Sequence, residues 1–223
     1  MARPPLRNTK APSLPNAQEV YGKSYTDNLN NILRMYYNTI DNFTGALATD
    51  TGGGYLGLPH IAASDSTDQY ADANNDPTIV KWNTLDSGNG FTLNANYTAT
   101  ALISGIYKID YSLQLTNNAN AVHDAVVWLK VDGVDVVNSA SKFTVPARKS
   151  AGVPSYAVAY SSIVFQLLEG QSVGLWWATD QAATSGGTLG IKIEHEAAQT
   201  VPYAHPAVPS AIGSITFVSR INP

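Results

Sequence analysis

Leu29, Leu33, Tyr36, Ile40 and Phe43 recur at spacings of 4, 3, 4 and 3 in a chain that otherwise reads as β-sheet. This is the a/d pattern of a helix whose apolar seam faces identical partner helices. So short a heptad run does not hold itself together, since isolated helices below ~12–15 residues are marginal in water. It makes sense as a collar under a larger domain that oligomerises. Ser24 followed by Asp27 reads as a capping box, and Thr44-Gly45 as a stop, so the predicted helix covers 24–43. Ile32, Met35 and Tyr37 broaden the apolar face, which suits three helices better than two, or a helix packed on its own domain. Gly52-Gly53-Gly54 reads as a flexible joint and favours the collar.

Bulk properties narrow the function. At 223 residues the chain can bury a real core. Charged residues make up 13%, against a usual ~25%, so Asn, Ser, Thr and Gln or burial between subunits must keep the surface compatible with water. A net charge of -4 gives no case for nucleic acid, which wants a basic stripe. Zero cysteines exclude disulfides, thiolate metal sites and cysteine nucleophiles together. Met1-Ala2-Arg3-Pro4-Pro5 lacks the apolar core of a signal peptide, and no run approaches a membrane span of ~18 apolar residues. The expectation is a protein that is neither membrane-bound nor exported by the usual route.

Residues 1–23 form an arm in which Pro4, Pro5, Pro12 and Pro15 are spread among Arg3, Arg7, Lys10 and Lys23, with Glu19 as the only acid. Each proline fixes φ and removes a donor, so the arm should be extended. It is either a disordered tail or a docking peptide on a larger partner or neighbouring subunits, with Arg3, Arg7 and Lys10 as the docking cations.

Residues 24–54 then form the helical collar and joint, and 55–223 a head of successive strands. Along 106–116, Tyr107, Ile109, Tyr111, Leu113 and Leu115 alternate with Lys108, Asp110, Ser112 and Gln114. Strict alternation describes a strand with one wet and one buried face. Strands are also predicted over 79–85, 91–93, 98–103, 126–137, 156–168, 172–179, 187–194 and 212–221. Asp132-Gly133 reads as a hairpin turn and Glu169-Gly170 as a second. About eight to ten strands with no helix between them mean a sandwich or jelly roll.

Three stretches resemble the C1q/tumour-necrosis-factor-like family. Ser104-Gly105-Ile106-Tyr107-Lys108-Ile109 is similar to its G-x-Y-x-F strand start, with Ile109 in place of the aromatic. Val127-Trp128-Leu129-Lys130-Val131-Asp132-Gly133 resembles its strand ending in a basic residue and an N-G-type turn. Leu167-Leu168-Glu169-Gly170-Gln171-Ser172-Val173 resembles its L-x-x-G-D-x-V turn, with Gln171 for Asp. The resemblance covers roughly 80–221. It implies a mainly β, C1q/TNF-like antiparallel jelly-roll sandwich, here preceded by an extended arm and one short coiled-coil-like helix. It also implies a homotrimer formed through one sheet face. The whole layout (basic Pro-rich arm, short helix, C1q-like head) resembles virion proteins of tailed bacteriophages, especially cyanophages, where such trimers serve as head decorations, head fibres or tail appendages.

Chemistry is sparse. No G-x-S-x-G elbow occurs, and His60, His123, His195 and His205 are scattered, so neither a nucleophilic enzyme nor a jelly-roll oxygenase with a metal triad is expected, and no cofactor. Asp65, Asp68, Asp72, Asn74, Asn75 and Asp76 form an oxygen-rich loop of the kind that suits calcium. Read as an EF-hand from Asp72, it has Pro77 where Gly belongs and Asn83 where Glu belongs, and fails. A looser cation site at Asp72, Asn74 and Asp76 stands against a solvated turn. Trp176 and Trp177 are consecutive on a strand and must face opposite sides. Trp177 goes with Val173 and Leu175 into the core. Trp176, flanked by Gly174 and Ala178, and Trp128 are the candidates for packing between subunits, with sugar contact as the other use of Trp176. Tyr156, Tyr160 and Tyr203 are further surface candidates.

These readings converge on a trimeric virion protein: a capsid decoration anchored by its arm on the major capsid protein or another structural protein. The rival is a tail-fibre or appendage head that recognises host surface glycans.

Overall fold

A computed structural model describes residues 13–14, 22–47, 58–201 and 204–221. The chain divides into two units, Met1–Leu58 with Pro223, and Pro59–Asn222. Arg3, Arg7, Lys10, the Gly52–Gly54 joint and Tyr203 lie outside the described residues.

In the first unit, α1 spans Lys23–Leu47. The Gly22 carbonyl accepts the first helical bond, from the Thr26 N–H at 3.2 Å, which makes Gly22 the cap and puts Ser24 inside the first turn. The expected capping box is therefore not the start. Nor does Thr44-Gly45 stop the helix: the Thr44 hydroxyl donates back to Ile40 O (3.0 Å) and Asp41 O (3.2 Å), satisfying itself within the helix, which runs on to Leu47. Leu29, Leu33, Tyr36, Ile40 and Phe43 are half-buried on one stripe, and Ile32 joins them. Met35 and Tyr37 are exposed. At ~100° per residue they fall roughly a quarter-turn or more to either side of the stripe.

The second unit is built from β1 (His60–Asp65), β2 (Thr78–Ile79), β3 (Thr84–Asn89), β4 (Phe91–Leu93), β5 (Ala99–Ala101), β6 (Gly105–Asn117) and β7 (His123–Val131). It continues through β8 (Val134–Asp135), β9 (Ser141–Val145), β10 (Ser155–Leu167), β11 (Ser172–Thr179), β12 (Ile191–Ile193) and β13 (Ala211–Ser219). All named strand pairs are antiparallel. Sheet A has the order β10-β6-β13-β1-β3, with β12 continuing the β13 line along β6; sheet B has the order β4-β5-β11-β7-β8, with β2 on β11 and β9 on β7. From β5 onward the chain repeatedly crosses from one sheet to the other, so strands distant in sequence lie side by side. That interleaving is an antiparallel jelly-roll sandwich.

The Asp132-Gly133 hairpin has both residues at positive φ (50° and 80°) and joins β7 to β8 with Val131 opposite Val134. The Glu169-Gly170 expectation is corrected. β10 pairs with β6 in sheet A, whereas β11 pairs with β7 in sheet B, so this turn is a corner between sheets and not a hairpin. Gly170 at φ 85° takes the third position of the turn closed by Gln171 N–H to Leu168 O (3.0 Å), and its own N–H reaches Ala101 O at 2.8 Å.

The core lies between the sheets. Tyr107, Ile109, Tyr111, Leu113 and Leu115 of β6 meet Val127 and Leu129 of β7 and Val173, Leu175 and Trp177 of β11, all buried. Each such side chain contributes about 1.5–3 kcal/mol by leaving water. Tyr107 packs edge-on between Phe91 (5.1 Å) and Phe217 (5.6 Å), donates to Ile103 O at 2.7 Å, and has its hydroxyl pushed up to about 12 by burial. Gly105 is required there: a Cβ would lie 2.6 Å from the Phe217 ring.

Candidate interaction surfaces

With the inner faces consumed by the core, function must lie on the two outer faces or the loops. Strand alternation fixes what sheet A shows. On β10, Ala159, Phe165 and Leu167 point inward and are buried, which turns Tyr156, Val158, Tyr160 and Val164 outward. These four are between 58% and 61% exposed. β10 is also the terminal strand of the sheet path, 13 residues long. On β13, Ile212 and Val218 are exposed as well, and the register puts Ile212 in one row with Ser112 and Tyr160. The middle of the face is polar. Lys108 pairs with Asp110 at 3.0 Å and the Tyr160 hydroxyl donates to Asp110 at 3.3 Å. Burial alone would raise the Asp110 carboxyl, but hydrogen bonds from Lys108 and Ser162 hold it below its ordinary value. Sheet A thus presents an apolar ladder beside a small polar strip, along a long sheet edge. Exposed edges of this kind are templates for association.

Sheet B presents a different surface. Trp176 on β11 is paired across the sheet with Trp128 on β7, and both are half-buried on the outer face, while Trp177 is fully buried with Val173 and Leu175. The Lys130 ammonium lies 4.5 Å from the Trp176 ring centre and 5.9 Å from that of Trp128, and 3.4 Å from Asp135. The Trp128 indole N–H donates to Asp135 at 2.7 Å. The two tryptophans expected at a subunit interface are therefore brought together, but on the opposite sheet from the apolar ladder and already covered in part by a lysine. Beside Trp176 the β4–β5 connection and the β7–β8 turn enclose a groove of about 700 Å³, floored by Ser172 and Gly174.

The oxygen-rich loop builds turns. The Asp65 carboxylate accepts from the Thr67 N–H (2.7 Å) and hydroxyl (2.5 Å) and is buried. Asn74 accepts from the Ala182 N–H at 2.8 Å, Asn75 adopts φ 61°, and the Asp72 N–H donates to the Thr78 hydroxyl at 2.9 Å. Among the described residues no group of three or more His, Cys, Asp or Glu side chains converges. Asp68 instead ties the loop to β12, bonding Lys192 at 2.7 Å and the His195 N–H at 2.9 Å, while Lys192 also reaches Glu194 at 2.8 Å. Burial would raise the Asp68 carboxyl, and Lys192 with the His195 N–H outweighs it and holds it low. Burial would lower the Lys192 ammonium, but its two carboxylate partners push it up to about 12.

The four histidines lie apart. His60 contacts the Ser87 hydroxyl (3.0 Å), His123 pairs with Asp180 (3.1 Å), His195 bonds Val208 O (3.0 Å) and His205 bonds Pro206 O (2.7 Å). A gap of about 30 Å³ between the sheets, beside Trp82, Ile109 and Leu175, has room for little more than a water.

No protein-family model matches the chain, and no curated protein does. In structure the chain is similar to an Eiger TNF from S. frugiperda, at 10% identity and a TM-score of 0.44, over 74% of this chain and 94% of that one. It is similar also to the globular domain of a zebrafish complement 1qA protein, at 13% identity and a TM-score of 0.42, over 73% of this chain and 99% of that one.

Proposed function

We propose that the chain is a structural subunit of a virion, assembling as a homotrimer and decorating a capsid through its N-terminal arm. The observation that carries self-assembly is the row Tyr156, Val158, Tyr160 and Val164 on the edge strand of sheet A. Four large apolar side chains in line on a strand edge leave water when copies of this chain pack there, each contributing about 1–2 kcal/mol by area. The apolar stripe on α1 supports the same reading from a separate unit, since a stripe of this width is satisfied by neighbouring helices. In this reading the self-association face is sheet A, where the sequence alone suggests Trp128 and Trp176.

The virion assignment rests on the layout: a basic Pro-rich arm, a short helix and a jelly-roll head with few charges. In this reading the arm lies along the major capsid protein or another structural protein, using backbone hydrogen bonds and the Arg3, Arg7 and Lys10 cations, and the head projects. The function is adhesion, with no reaction and no cofactor. The test is binding of purified protein to empty phage capsids, with and without residues 1–23, alongside its mass in solution. A trimer that binds only with its arm supports the proposal. A trimer that ignores capsids and adheres to host cells overturns the decoration role in favour of a receptor-binding appendage.

A further inference from the structure

The groove on the outer face of sheet B has a construction that packing does not require. Its lining includes two small outward residues of β11, Ser172 and Gly174, with Trp176 and Ile79 reaching over Gly174. At Gly174 a Cβ would come within 3.3 Å of the Trp176 Nε1 and the Thr98 Cγ2, so the missing side chain lets the indole N–H lie over the floor. Trp128 spends its N–H on Asp135, whereas that of Trp176 meets no acceptor among the described residues; the contact of Trp176 is Lys130 on its ring face. At about 700 Å³ the space falls within the ~300–1,000 Å³ of ligand clefts.

The charges around the groove have partners within the protein. Lys130 has Asp135 at 3.4 Å, and Asp132 accepts from the Gln171 amide (3.1 Å) and the Ser172 N–H (2.9 Å). With one lysine against two carboxylates, the site offers an anion no free cation. The Ser172 hydroxyl is bonded to Thr100, the Asn94 amide N–H groups to Thr98 and Thr100, and the Asn96 Oδ1 accepts from Thr98. What remains on offer is the Trp176 indole N–H, the Asn96 Nδ2, the Asn94 Oδ1, and the apolar surfaces of Trp176 and Ile79. A ligand that matches them presents neutral hydroxyls, which both donate and accept, together with C–H faces that pack on an aromatic ring. We infer that this groove is a binding site for a neutral saccharide, with Trp176 and Asn96 as contact residues. In a sandwich the two outer faces point away from each other, so assembly through β10 leaves the groove open. The site is separate from the docking proposal: solution mass and capsid binding decide that one, and saccharide binding decides this one.

The experiment is a titration of the full chain with soluble neutral oligosaccharides of glucose, galactose, mannose and N-acetylglucosamine, beside sialylated and sulfated sets. Binding is read from the indole N–H resonances. The expected result is a neutral oligosaccharide that shifts the Trp176 indole signal and leaves that of buried Trp177 in place. Trp176→Phe and, separately, Asn96→Ala weaken that binding roughly tenfold or more, the loss of one or two hydrogen bonds. Leu85→Ala, on sheet A, leaves it unchanged, and melting curves confirm that each variant is folded. The inference is overturned if no neutral saccharide binds at millimolar concentration, if only anionic ones bind, or if folded Trp176→Phe and Asn96→Ala both bind as well as the parent.

Discussion

The two outer faces of one sandwich have been built to opposite specifications. Sheet A ends in a long strand that turns Tyr156, Val158, Tyr160 and Val164 outward as well as Phe165 and Leu167 inward, while sheet B has Ser172, Gly174 and Ala178 beside Trp176 on the outer face of β11 and keeps its aromatics paired, hydrogen-bonded or covered by Lys130. The first arrangement leaves apolar surface for which the single chain has no use. The second spends its polar groups locally and leaves a hollow. In the proposed reading, one fold separates an assembly face from a recognition face through which residues each strand turns outward.

The largest expected difference lies between two neighbours on β11. Trp177→Ala empties a fully buried site and should cost about 3–5 kcal/mol in denaturant melts, whereas Trp176→Ala loses a half-exposed ring and one cation–π contact and should cost about 1 kcal/mol. Equal costs would break the inside–outside assignment of sheet B. Next, Tyr160→Asp combined with Val164→Asp should weaken self-association by roughly a hundredfold in sedimentation, with the isolated head still folded, while Trp128→Phe on the other face leaves the mass unchanged. Gly105→Ala comes third. Its methyl would meet the Phe217 ring at 2.6 Å, an overpacking expected to cost about 1–3 kcal/mol by thermal melt.

Acid has the smallest effect. Asp68 and Asp110 both titrate below their ordinary value of 3.8 in the fold, so the stability they lend is fully present above that pH and is lost as pH falls through their lowered values. Lys192, raised to about 12, adds stability that is full below 10.5 and lost as pH rises through 12. Asp68→Asn should flatten the acid limb of a pH–melting profile slightly, since partly exposed pairs are worth at most ~1 kcal/mol.

Much of the sandwich is legible in the sequence where period two is strict, as in β6 and β11, and where Asp132-Gly133 demands positive φ. β1 is hidden because its inward positions are Ile61, Ala63 and Asp65, and an aspartate buried against Thr67 does not read as core. β9 is hidden because Phe143 is its only large apolar residue before Val145. Glu169-Gly170 carries hairpin chemistry, yet local turn chemistry is silent on whether the next strand returns within its sheet or crosses to the other. The acidic loop is ambiguous for a similar reason: acceptors that cap turns and acceptors that hold calcium have the same composition, and the structure adds that Asn74 bonds Ala182 and Asp68 bonds Lys192. The β10 ladder did leave a signal. Tyr156, Val158 and Tyr160 alternate with Ala157 and Ala159, a stretch apolar on both sides with its larger residues on one.

The central claim is that sheet A is covered in the assembly and sheet B is not. Hydroxyl-radical footprinting of the full chain, at concentrations above and below its association, reads both faces in one experiment through their aromatic side chains. The account predicts that Tyr156 and Tyr160 become protected as the chain associates into a particle three times its 23.7 kDa, while Trp128 and Trp176 keep the same reactivity. Protection of the two tryptophans with the tyrosines unchanged would contradict it.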